Sequence, residues 1–307
     1  MPSKPKRKLA PKKKMPPKRG AVSTKKVTQE VDLNKEYTLY TDANVRGKKI
    51  IVYGVSGMGK STLCAMLSEV GLNPVFLALD DGVDELVHPA TGQPLNRYKA
   101  NSYQDVRNIL AQGQKLFLDA GFDTVIVDTM TAVEEYAVPF ILDTVLKDGV
   151  RMKNLEQYGY SKGYAHLSDH DNYIKYDLQK LCEMGLNVVV ICQQAPIKRS
   201  EAGVDDYFKD TPKLTYRPTV GATAALDFVE WSDHCLRIGY SDMRVSKKRA
   251  SASGDRVVFV HPEVHFEAKS RTIPAEFPIV SFESTTDASI WEFIFNDAWK
   301  DIEVEDE

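Results

Sequence analysis

The segment GVSGMGKS at residues 54–61 sets glycines, a lysine and a serine at the spacing G-x-x-x-x-G-K-[ST]. Each residue type has a task in holding a polyphosphate. Gly54, Gly57 and Gly59 let the backbone fold its N–H groups around phosphate oxygens, and a helix starting there adds the positive end of its dipole. Lys60 can bridge the β- and γ-phosphates, and the Ser61 hydroxyl can ligate Mg²⁺. Val55, Ser56, Met58 and Thr62 complete the expected binding set. A magnesium site needs a carboxylate at the end of a neighbouring strand, and DTVIVD supplies it as Asp128.

These residues work only if strands and helices deliver them to one edge. KKIIVYG (48–54) reads as a strand running into the loop, and KSTLCAMLSEV (60–70) as the helix leaving it. Further strands are expected at 74–80, 123–128 and 187–192, with helices over 102–121, 131–147, 171–184 and 222–231. Later come a strand near 235–240 and two more at RVVFVH and HFEAK. β-Branched runs alternating with amphipathic helices predict an α/β protein with a mostly parallel, buried sheet. Residues 194–218 have no clear period and read as a long loop, carrying Lys198, Arg199, Lys209, Lys213 and Arg217 with Tyr207, Phe208 and Tyr216. Trp291, Phe295 and Trp299 recur at helical spacing and read as core packing.

Charge along the chain is segregated. The 307 residues hold 40 Lys+Arg and 43 Asp+Glu, yet residues 1–28 contain 11 basic side chains and no acidic one, which leaves the rest at minus 14. Five prolines and no aromatic residue in that stretch predict a disordered basic arm. The domain reading is an arm over 1–35, a nucleotide-binding domain over 36–285, and a C-terminal helix with an acidic tail over 286–307. Apolar runs are strand-sized, so no membrane span or secretory signal is expected, and the chain reads as cytoplasmic. Cys64, Cys182, Cys192 and Cys235 are widely spaced and read as reduced thiols. The pairs His166/His170 and His261/His265 lack a third ligand and read as structural.

The second strand, VFLALDD, resembles the corresponding segment of RecA-type ATPases, whose acidic residue polarises the attacking water. By that match Asp80 is the catalytic carboxylate, with Glu134 and Glu135 as alternatives. Thr129, not a glutamate, follows Asp128, unlike the AAA+ arrangement. CQQAP resembles the RecA-like sensor, which implies that Gln193 and Gln194 detect the γ-phosphate. EAKSRTIPAEF resembles a late RecA segment whose cations reach the nucleotide of an adjacent subunit, positions matched by Lys269 and Arg271. In order and spacing, YGYSKGYAH, the 205–214 loop, FVEWSDH (228–234) and AKSRTIP (268–274) are similar to phage-encoded, Sak-type single-strand annealing ATPases. That resemblance covers roughly residues 45–285.

The resemblance implies a RecA-like core, ATP and Mg²⁺ as cofactors, and a homo-oligomeric ring or filament. It further implies work on single-stranded DNA beside a single-strand-binding protein, in a host cytoplasm if phage-encoded. The arm (1–28) and the loop (195–218) are the expected DNA contacts. The alternative is a nucleotide-gated binding module with little hydrolysis, and a small-molecule kinase is a third reading.

Overall fold

The structure, a computed structural model, describes residues 46–79, 81–199, 206–213, 222–246 and 249–302. The strands are β1 (Lys49–Gly54), β2 (Pro74–Ala78), β3 (Arg97–Lys99), β4 (Thr124–Asp128), a two-residue ribbon of β5 (Leu146–Lys147) and β6 (Val150–Arg151), β7 (Asn187–Arg199), β8 (Tyr207–Pro212), β9 (His234–Ser246), β10 (Arg249–Phe259), β11 (Lys269–Ser270) and β12 (Ile279–Ser281). The helices are α1 (Lys60–Ala65), α2 (Tyr103–Ala111), α3 (Met130–Thr144), α4 (Lys162–Glu183), α5 (Ala222–Trp231) and α6 (Ser289–Phe295).

The main sheet runs β12-β10-β9-β1-β7-β4-β2-β3. From β9 to β3 every neighbouring pair is parallel, while β10 and β12 add an antiparallel edge. All six residues of β1 are buried, as expected for a central strand covered on both faces. Register then does the positioning: Gly54 pairs with Gln193 across β1–β7, and Asp128 with Ile191 across β4–β7. The ends of β1, β7 and β4 therefore open on one edge.

Helices α2 to α5 contribute to the core on one face, with Val106, Val133, Leu178 and Phe228 packed against the sheet. Leu63 of α1 and Trp291 of α6 lie in the core of the other face. Trp291 is fully buried and its indole N–H donates to the Leu63 carbonyl at 2.7 Å, so the aromatic stripe of the C-terminal helix is core packing that braces the helix after the phosphate loop. The helix expected over 102–121 instead breaks into α2 and a π turn at Gln114–Leu118. Gly113 marks the break: a Cβ there would sit 2.2 Å from Leu181, so its absence lets the segment close onto α4. HFEAK is likewise shorter than expected, contributing only the two-residue β11 with Ser270.

The long loop expected over 194–218 is in large part a hairpin. β7 continues to Arg199 and pairs antiparallel with β8, from Gln194↔Pro212 to Arg199↔Tyr207. Alternation of buried Ala195 and Ile197 with exposed Pro196 and Lys198 is the strand signal, disguised by the proline. Opposite charges then pair: Lys198 with Asp206, and Arg199 and Lys209 with Glu267 at 3.3 and 3.2 Å. Tyr216 and Arg217 lie outside the described residues, as does the basic arm.

Candidate nucleotide-binding site

The strand-to-helix turn at 54–60 has the backbone a phosphate cradle needs. Gly57 and Gly59 adopt positive φ of 80° and 91°, and α1 starts directly after Gly59. Gly54 must be glycine for a separate reason, since a Cβ would lie 2.7 Å from the Ile238 carbonyl oxygen of β9. The Lys60 Nζ folds over the loop, donating to the carbonyls of Gly54 and Val55 at 3.0 Å each and reaching Gln193 Oε1 at 3.5 Å. Burial pushes the Lys60 ammonium below its usual pKa, with Asp128 pulling it back up. The Ser61 hydroxyl donates to Asp128 Oδ2 at 2.5 Å. A cavity of about 310 Å³ is lined by Ser56, Gly57, Gly59, Lys60, Ser61 and Thr62, with Asp128, Thr129 and Gln193 opposite.

A hydroxyl and a carboxylate converging within hydrogen-bond reach form a hard-oxygen donor set that fits Mg²⁺. Lys60 and the loop N–H groups fit the phosphates it would bridge. Sequence-predicted Gly54, Val55, Ser56, Gly57, Met58, Gly59, Lys60, Ser61, Thr62, Asp128 and Gln193 thus form one locality.

A further hydroxyl, which the sequence reading missed, joins this locality to the hairpin. Thr131 Oγ1 accepts from the Gln193 backbone N–H at 3.2 Å and donates to the Lys213 carbonyl at 3.1 Å. Lys213 N–H in turn donates to the Gln193 carbonyl at 2.6 Å. The only hint in the sequence is a Thr-Met-Thr run after Asp128.

Other expected residues lie elsewhere. Gln194 does not line the cavity, and its Oε1 is buried with no partner among the described residues. Glu134, an alternative catalytic carboxylate, is 2% exposed and turned against Asp171 of α4 under the sheet. Burial raises its pKa to about 10 and that of Asp171 to about 7, so the pair retains a proton at neutral pH and Glu134 is no base for water at the phosphate site. Glu135 is exposed. Asp80 falls outside the described residues.

Lys269 and Arg271 do not reach the phosphate site of their own chain. β11 pairs with the start of β9, and Lys269 Nζ donates to the carbonyls of Val229, Glu230 and Ser232 at 2.7 to 3.0 Å, closing the end of α5. Arg271 pairs with Asp233 at 3.3 Å; that aspartate also takes a two-pronged contact from Arg46 and the N–H of Lys49. This cluster stands at the opposite end of β1 from Gly54, five residues or roughly 16 Å along the strand.

Compared with known families, residues 46–272 match the family described as AAA domain. The chain belongs to that AAA-domain family. The match covers both the phosphate loop and Asp128, so this AAA-domain protein carries a nucleotide-binding ATPase domain of the P-loop type. It keeps Thr129 after Asp128, where the AAA+ arrangement has glutamate. No curated protein matches the AAA-domain chain. Among solved structures, the KaiC-like protein PH0186 from the hyperthermophilic archaeon Pyrococcus horikoshii OT3 is similar at 11% identity and a TM-score of 0.36, over 77% of this chain and 90% of that one. Among the described residues of the AAA-domain protein, no helix is long and apolar enough to cross a membrane.

Proposed function

We propose that this protein is a Mg²⁺-dependent ATPase that acts on single-stranded DNA in recombination, annealing, replication or repair. The observation that carries the nucleotide reading is the joining of Lys60, Ser61, Asp128 and Gln193 at the ends of three adjacent parallel strands. In this reading the loop N–H groups and Lys60 orient the triphosphate, while Ser61 and Asp128 hold the metal ion. Mg²⁺, when bound, would supply charge neutralisation to the polyphosphate. Gln193, in contact with Lys60, reports on the terminal phosphate and passes its state through Thr131 to the hairpin.

Support for DNA comes from the arm, because several hairpin cations are already paired with carboxylates. If about five arm residues neutralise phosphates, the slope of log affinity against log salt is about minus 3.5. An oligomer and a single-strand-binding partner belong to the same reading. In such an assembly the half-exposed Arg271 is better placed than Lys269 to reach a neighbour's nucleotide, since Lys269 is held by three carbonyls.

The slower alternative, a nucleotide-gated module with marginal hydrolysis, uses the same cavity. Steady-state ATP turnover with and without single-stranded DNA separates the two readings. The ATPase reading expects turnover in the parent, stimulation by DNA, and loss of both in Lys60→Ala. Light scattering with ATP and DNA should show a larger species for the parent alone. Identical behaviour of the two proteins would overturn the ATPase reading, and ATP binding without turnover would select the gated module.

A further inference from the structure

The guanidinium of Arg256, on β10, stands beside the phosphate loop at Gly59, next to the residues that line the cavity and not among them. Its NH1 atom would lie 3.2 Å from a Cβ built on Gly59, and the Phe282 ring would meet that same position at 3.2 Å. Arg256 is half-buried and its guanidinium carbon sits 4.8 Å over the centroid of the fully buried Phe282 ring. The backbone is also fixed, because the Phe282 N–H donates to the Arg256 carbonyl at 3.0 Å.

The charge environment sets it apart. Seven other arginines with described side chains each pair with a carboxylate. Arg256 forms no ion pair among the described residues, although it is partly desolvated and held in place by an aromatic face. The Phe282 face attracts the cation, and its N–H edge has no carboxylate partner among the described residues.

Direction along the loop identifies which part of a nucleotide it meets. Ser61, Asp128 and Gln193 lie on the β7–β4 side of β1, so the metal-bound β- and γ-phosphates belong there. Arg256 lies on the other side, beyond β9. One face of the guanidinium is covered by Phe282, and the NH1 edge is turned to Gly59, which suits donation to a phosphate oxygen. We propose that Arg256 is a nucleotide-binding residue that holds the α-phosphate, the phosphate common to nucleoside diphosphates and triphosphates. This assignment rests on the nucleotide-binding reading above.

Titration of ADP and of ATP, with Mg²⁺, into the parent, Arg256→Ala and Arg256→Lys tests it under conditions too brief for turnover. The expected result is a loss of about ten- to a hundredfold for Arg256→Ala, equal for ADP and ATP within about threefold, from removal of a charge-assisted hydrogen bond. Arg256→Lys keeps the charge but not the planar edge, and should lose a smaller factor, again equally for both. Thermal melting identifies a variant that fails to fold, in which case the lysine variant is decisive. Unchanged affinities, or a loss confined to ATP, would overturn the α-phosphate assignment while leaving nucleotide binding intact. A parent that binds neither nucleotide would overturn both readings.

Discussion

Ser61 Oγ donates to Asp128 Oδ2 at 2.5 Å, across 67 residues of sequence. The bond joins the first turn of α1 to the end of β4, and the same two oxygens are the proposed metal ligands. Asp128→Asn keeps the shape and the hydrogen bond but removes the charge. Its turnover should fall by about two to three orders of magnitude, and Mg²⁺ should no longer tighten ATP binding. Titration of ATP with and without the metal checks this, with an unchanged metal dependence counting against Asp128 as ligand.

The buried Glu134–Asp171 pair makes a pH prediction of definite sign. Carboxyls kept protonated by burial favour the folded state fully below their unfolded pKa values near 4. That contribution is lost as pH rises through about 7 for Asp171 and about 10 for Glu134. Stability from this pair should therefore decline from pH 5 to pH 9. Glu134→Gln, which cannot ionise, should flatten the profile and raise the melting temperature at pH 9 by about 2–4 °C for each kcal/mol recovered. Melting curves across that range decide it; a parallel profile would mean that the pair carries no coupled charge.

Trp291 holds the helix after the phosphate loop from the same face of the sheet. Trp291→Ala should cost about 3–5 kcal/mol through lost burial and cavity formation, and Trp291→Phe less, since it removes mainly the indole donor. Chemical denaturation measures both. If nucleotide affinity falls in Trp291→Phe along with stability, the brace also positions α1.

Lys269 and Arg271 should separate cleanly in a stability assay. Lys269→Met removes three donors from carbonyls at the end of α5 and should cost about 1–3 kcal/mol. Arg271→Ala breaks a half-exposed pair and should cost less than about 1 kcal/mol. Any effect of Arg271→Ala on turnover that grows with protein concentration would then come from assembly and not from the fold.

How much of this is legible in the sequence depends on the range of the interaction. Lys60, Ser61 and Asp128 are readable because each sits at the junction of a strand with the segment after it, where local pattern and chemistry coincide. Gln193 needs the resemblance, since a glutamine after an apolar run has many ordinary uses. The hairpin is hidden by Pro196, whose edge position becomes apparent only when β8 pairs opposite. Arg256 is invisible in sequence because its meaning comes from Gly59, nearly 200 positions earlier, and from Phe282, just after β12. Glu134 is misleading in the other direction: its position after Asp128 suggests a base, and only Asp171 on α4 gives away its protonated state.

Thr131 ties both ends of the hairpin to the phosphate edge of the sheet. The chain enters the hairpin at Gln193 and leaves it at Lys213, and one hydroxyl is bonded to both. A displacement of Gln193 by even a fraction of an ångström must either carry Lys213 with it or break a bond on one side. The two strands are thus joined at their base, so the positions of Gln193 and Lys213 are set together by one side chain.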